Sequence, residues 1–130
     1  MLTERQKEVL RYRKEGLTQQ EIADIIKTSK ANVCTIERLA MDNIRKAREA
    51  IDFYYSLDSH HLCSIETDSD ISDSIEEIYR KAEEIGIKVK FDSIQLMARI
   101  RDSHPDRFQH RRVKKPIEIY LSNDGFIYTA

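Results

Sequence analysis

Residues 29–38 read SKANVCTIER, and Ser29, Lys30, Asn32, Thr35 and Arg38 within them are short polar donors and long cations. These are the side-chain types that read base edges and phosphates. Asn can pair with an adenine through two hydrogen bonds, and Arg or Lys with a guanine. Ala31 or the Thr35 methyl could touch a thymine methyl. Just upstream, Thr18, Gln19 and Gln20 open a helical pattern whose free backbone amides suit a phosphate. Other chemistry finds little support. There is no GxSxG and no HExxH, and the three glycines all fall at turns, so no loop is left to cradle a phosphate and no catalysis is expected. His60, His61 and Cys63 could join His104 or His110 around a metal, but adjacent histidines diverge on any regular element and no second paired motif appears. Asp68, Asp70 and Asp73 lack the glycine and terminal Glu of a calcium loop and fit better as caps for the helix that follows. Neither metal nor cofactor is expected.

A base-reading segment must be held by its neighbours. Thr3 with Gln6 forms a capping box for a first helix over residues 3–15, with Val9, Leu10 and Tyr12 inward, Gly16 at its end and Leu17 closing the face. Thr18 with Glu21 caps a second helix carrying Ile22, Ala23, Ile25 and Ile26. KTS breaks it, and Ser29 caps a third helix with Val33, Ile36 and Ala40 inward. Helices this short need a third wall, so a trihelical unit follows. Small Ala23 lets two helices cross closely and Val33 plugs the core, which is the pattern of a helix-turn-helix. Lys27 stands where such turns usually carry glycine, and it fits there if it lies near the left-handed region or if the turn is slightly different. A plain helical hairpin in a bundle would use the same apolar residues; the outward amides and cations favour the helix-turn-helix.

LTERQKEVLRYRKEGLTQQEIADIIKTSKANVCTIERLAMDNIRKARE resembles the N-terminal domain of the archaeal Tfx-family DNA-binding proteins. More loosely it is similar to region 4 of sigma factors and to response-regulator output domains. The ending PIEIYLSNDGFIY resembles the C-terminal domain of the same family. The resemblance implies a cytoplasmic archaeal transcriptional regulator with a DNA-binding head and an acidic C-terminal module. By position it places Asn32, Thr35 and Arg38 on the reading helix, with Cys34 where serine is expected.

Charge agrees with a split chain. Residues 1–53 hold 11 Lys/Arg and 9 Asp/Glu, residues 54–110 hold 7 and 12, and residues 111–130 hold 4 and 2. An acidic middle cannot be a DNA surface. Two cysteines outside any CxxC pair fit a reducing cytoplasm. The N-terminus lacks the order of a signal peptide, and no stretch of about 18 apolar residues offers a membrane span.

From Ile36 the apolar spacing continues through Ala40, Ile44, Ala47, Ile51 and Tyr54, close to a heptad. Such a seam serves either a homodimer or packing on the chain's own C-terminal half, with Phe53, Tyr54 and Tyr55 anchoring the junction. Residues 58–73 read as a polar boundary. Beyond it come a short strand over residues 63–67 and a helix over Ile71–Ile85 capped by Ser74/Glu77 or Asp73/Glu76. A strand at IKVKF (87–91) and a helix over residues 93–104 follow. Next are a basic HRRVKK loop (110–115), either a phosphate contact or a solvated connection, and a hairpin through SNDG. The expected fold is α+β. Residues 1–57 form a helix-turn-helix DNA-binding domain with an extended helix. Residues 58–130 form an acidic α+β domain with a mixed sheet, for dimerisation, sensing or contact with the transcription machinery. The expected partner is double-stranded DNA. The competing class is an adaptor binding protein or a small ligand, with a helix-turn-helix that does not touch DNA.

Overall fold

The computed structural model describes residues 1–130. Three helices come first, α1 (Glu4–Lys14), α2 (Gln19–Ile26) and α3 (Lys30–Ser56). Then follow β1 (His60–Ile65), α4 (Ile71–Glu84), α5 (Ser93–Ser103), a 3-10 turn (Pro105–Arg107), β2 (Phe108–Gln109), β3 (Arg112–Val113), β4 (Ile117–Leu121) and β5 (Ile127–Thr129). No helix is long and apolar enough to cross a membrane. The chain divides into two compact units, Met1–Ala47 and Arg48–Ala130. That division precedes the expected 57/58 boundary, because the last turns of α3 bond within the second unit. There Thr129 Oγ1 donates to Asp52 at 3.4 Å. Tyr55 stacks on Tyr128 with ring centroids 5.5 Å apart.

In the first unit both expected capping boxes form, Thr3 with Gln6 and Thr18 with Glu21. Each satisfies amides that a helix start leaves open. Val9, Ile22, Ala23 and Val33 are fully buried, with Tyr12, Leu17, Ile26 and Ile36 packed around them. Burying side chains the size of Val9, Ile22 and Val33 stabilises by roughly 1.5–3 kcal/mol each relative to exposure.

The second unit is α+β. Its main sheet runs β1-β4-β5, with both pairings antiparallel. A core of Ile65, Ile71, Ile75, Ile78, Leu96, Ile100, Ile117, Ile119, Leu121 and Ile127 fills the space between one sheet face and α4 and α5. Four expectations change here. The sheet is antiparallel throughout, not mixed, because residues 87–91 form no strand. Their alternation is real: Ile87, Val89 and Phe91 turn to the core. However, the segment lacks a ladder partner, and Lys90 N–H instead donates to the Gly125 carbonyl at 2.9 Å. Gly125 (φ 89°) makes this contact at very close range, since a Cβ there would lie 2.2 Å from the Lys88 carbonyl oxygen. The first strand starts at His60, inside the segment read as a boundary, because β4 supplies it with a partner. The cap of α4 is Asp70, accepting from Ser72 N–H at 2.8 Å, not Ser74 or Asp73. Finally, the basic loop is part of a small hairpin. Arg111 Nη2 donates to Ser72 Oγ at 2.5 Å and Arg112 Nη1 to the Asp68 carbonyl at 2.6 Å.

The heptad-like seam is not what packs the end of α3 within the second unit. Asp52 and Ser56 are buried there, while Ile51 and Tyr54 stand 53% and 65% exposed. Phe53, Tyr54 and Tyr55 are all exposed, and of the three Tyr55 stacks on the sheet.

Candidate nucleic-acid interface

The turn between α2 and α3 sets the geometry. Lys27 takes φ 58° and ψ 54°, so of the two ways to seat it in the turn the left-handed backbone is the one adopted. This costs a non-glycine residue roughly 1–2 kcal/mol. In return, the Lys27 and Thr28 amides both donate to the Ala23 carbonyl, closing the end of α2. Ser29 Oγ then accepts from Asn32 N–H at 3.0 Å and starts α3.

At about 100° per residue, Ala31, Cys34, Thr35 and Arg38 fall on one arc of α3 opposite Val33 and Ala40. All four are exposed, while Val33 and Ala40 are fully buried. Lys30 and Asn32 flank the arc and are also exposed. Asn32 is braced, its Nδ2 donating to Thr28 Oγ1 at 2.9 Å. Thr35 Oγ1 donates back to the Ala31 carbonyl at 3.2 Å, so its hydroxyl proton is already engaged within the helix. On α2, Thr18 and Gln20 are exposed and Gln19 is half-buried. The Thr18 hydroxyl accepts from Glu21 N–H at 3.1 Å, and Gln20 Nε2 donates to Asp24 at 3.0 Å. With Thr18 as N-cap, the amides of Gln19 and Gln20 have no partner within the helix. The structure therefore gathers Lys30, Ala31, Asn32, Thr35 and Arg38 on the exposed part of α3, with Ser29 as its N-terminal cap, and sets Thr18, Gln19 and Gln20 at the start of α2.

Three features go beyond what the sequence reading singled out. Glu37, the acid nearest the reading segment, is withdrawn from the arc. Its Oε2 lies 2.7 Å from Arg13 Nε, and Arg13 also donates to the Leu17 carbonyl at 2.8 Å. This pair depends on how α1 crosses α3, and no local pattern announces it. One turn beyond Arg38, Asp42 pairs with Arg45 at 3.5 Å and brings acidity to the same side of the helix. Cys34 sits within the exposed arc, where helical spacing alone would place it.

Comparison with known proteins agrees with both units. Residues 47–129 match the family described as DNA-binding protein, TFX, C-term, and residues 1–46 match sigma-70, region 4. The chain belongs to the Tfx family. The DNA-binding protein Tfx of Methanothermobacter thermautotrophicus is 40% identical over 126 residues, covering 97% of this chain and 91% of its own length. The Tfx protein of Methanothermobacter marburgensis gives the same identity and coverage. A Methanocaldococcus jannaschii protein is 38% identical over 124 residues, 95% of this chain and 90% of its own. Tfx membership and the sigma region 4 likeness both bear out the resemblance read from the sequence. The junction of the two matched regions falls within one residue of the break between compact units.

Proposed function

We propose that this chain is a DNA-binding transcriptional regulator whose α3 reads a specific site in the major groove. The observation that carries this reading is the exposed arc of Ala31, Thr35 and Arg38, flanked by Lys30 and Asn32, over a floor fixed by Val33 and Ala40. A helix seated on that floor, with Glu37 drawn aside by Arg13 and Asp42 paired with Arg45 one turn beyond Arg38, suits insertion into a groove about 12 Å wide. Ser29, Lys30 and the Thr18–Gln19–Gln20 helix start serve as phosphate contacts that set its position. The protein acts by binding, not catalysis, in the cytoplasm of an archaeal cell. The C-terminal unit brings two copies together, matching two-fold operators, and contacts the transcription machinery.

The test separates reading from positioning. Arg38→Ala is expected to weaken binding to the preferred site by about 1–3 kcal/mol while changing non-specific binding little. Lys30→Ala serves as the contrast, lowering both and reducing the salt slope by about one unit. Fluorescence anisotropy on specific and scrambled duplexes at several salt concentrations measures both. Equal losses for Arg38→Ala on the two duplexes would make Arg38 a phosphate contact only.

A further inference from the structure

The three-stranded sheet of the second unit covers its inner face with α4 and α5, while on its other face His61 is exposed and Tyr120 and Tyr128 are half-buried. An antiparallel sheet of this kind normally turns polar side chains to water on its open side. Here the cross-strand row is His61 on β1, Tyr120 on β4 and Tyr128 on β5, joined by the pairings His61↔Tyr120 and Tyr120↔Tyr128. His61 and Tyr120 meet edge to face with centroids 5.2 Å apart. Tyr55 of α3 extends the row by stacking on Tyr128, and Tyr54 packs edge to face on Tyr55 at 5.6 Å. Ile51, one turn before Tyr55, is 53% exposed, Tyr54 65% and Tyr55 49%. A continuous aromatic and aliphatic strip therefore runs from β1 across the sheet onto the end of α3.

We infer that this strip, the open sheet face with Ile51, Tyr54 and Tyr55 of α3, is the surface through which two copies of the chain associate. The inference rests on the homodimer of the preceding section and assigns its interface.

Area, charge and spacing favour a second copy as the occupant. Ile51, Tyr54 and Tyr55 alone expose roughly 350 Å², given full side-chain areas on the order of 150–250 Å². That is nearly half of the ~800 Å² each partner contributes to a stable interface, and His61, Tyr120 and Tyr128 extend it. Tyrosines concentrated at the middle of a patch are the usual energetic anchors of protein interfaces. A nucleic acid or an anionic membrane fits poorly, because residues 48–130 hold 12 Lys/Arg against 16 Asp/Glu. On the strip itself Glu118 accepts from Ser64 Oγ at 2.6 Å and from His61, which holds its carboxyl ionised below the usual range. Ile51 and Tyr54 continue the near-heptad spacing of α3, a pattern that complements itself across a two-fold axis, as an isologous pair requires.

The experiment is analytical ultracentrifugation of the full chain without DNA, from about 1 to about 100 µM, for wild type, Ile51→Glu and Tyr54→Glu. Wild type is expected at twice 15.3 kDa. Each variant is expected to dissociate at least about 30-fold more readily, the size of one lost interface anchor. Both positions are exposed in the single chain, and circular dichroism of each variant checks that its fold is kept. A monomeric wild type across that range overturns the inference, whatever other protein the strip then captures. So does a dimer that both folded variants preserve. Anisotropy on a DNA half-site in the same samples keeps the two readings apart. Lost DNA affinity with an intact, variant-sensitive dimer would strike the groove-reading proposal and leave this one standing.

Discussion

The two ends of α3 carry opposite polarity. Its first three turns expose Lys30, Asn32, Thr35 and Arg38 over buried Val33 and Ala40. Its last two turns expose Ile51, Phe53, Tyr54 and Tyr55 and bury Asp52 and Ser56. The first arrangement is what a rigid element needs to meet a hydrated, charged polymer. The second leaves apolar surface to be covered and places a carboxylate inside, where each buried polar group must find a partner. One continuous helix of 27 residues thus presents two kinds of surface, and the change of pattern along it marks where one compact unit gives way to the next.

The strongest way to break the comparison is to collapse one end and ask whether the other survives. Ile22 is fully buried between α1, α2 and α3. Ile22→Ala should cost about 2–5 kcal/mol, through lost burial and the cavity left behind. A unit with so small a core cannot absorb that, so specific DNA binding should vanish at room temperature. The sheet-based unit should keep its protection from hydrogen exchange. Equal loss of protection in β4 and α4 would show that the two units unfold as one.

How much of this was legible follows from the kind of contact each feature needs. The helix-turn-helix was readable because its determinants are local: two capping boxes, Ser29 as a cap, and apolar residues at helical spacing. The exposed arc followed from the same spacing. Residues 87–91 misled because alternation reports which side chains face inward, and only a neighbouring backbone makes a strand. Asp70 reads as a capping residue from the sequence, but the capping boxes point to Asp73 or Ser74, three or four residues beyond the cap that starts α4. The Arg13–Glu37 pair and the His61–Tyr120–Tyr128 row lie between segments far apart in sequence, so neither had a local signature.

A smaller change sharpens the description of the reading end. Lys27 pays for its left-handed backbone, and its side chain is exposed, so its place in the turn rests on the backbone alone. Lys27→Gly should stabilise the first unit by at most about 1 kcal/mol, the relieved strain being partly offset by the greater freedom of glycine in the unfolded chain. Urea denaturation measures this. Unchanged site-specific affinity after correction for lost charge, read from the salt slope, would confirm that Lys27 positions α3 without reading bases.

The smallest effect tests the buried polarity at the other end. Asp52 accepts from Thr129 Oγ1, which in turn bonds His104 Nε2 at 2.8 Å, and Glu49 Oε1 lies 3.9 Å from His104 Nδ1. Burial raises the Asp52 pKa above its ordinary value, while Arg99, the Thr129 bonds and Arg48 pull the other way without cancelling the shift. A raised carboxyl pKa means the folded chain holds this proton more tightly than the unfolded one. The resulting stabilisation is complete below the ordinary carboxylate range and is lost as pH rises through the raised value. Asp70 and Glu118 have lowered values and the opposite sign: their contribution is present above the ordinary range and disappears only as pH falls below it. Above the ordinary carboxylate range the Asp52 slope should therefore stand clear of theirs. Asp52→Asn keeps an acceptor for Thr129 and removes the charge, so its melting temperature should gain on wild type steadily across that window. Parallel pH profiles for the two proteins would place the slope elsewhere and leave Asp52 as an ordinary ionised member of the network, held by Arg99 and Arg48 at an end of α3 less apolar in character than its exposed aromatic side suggests.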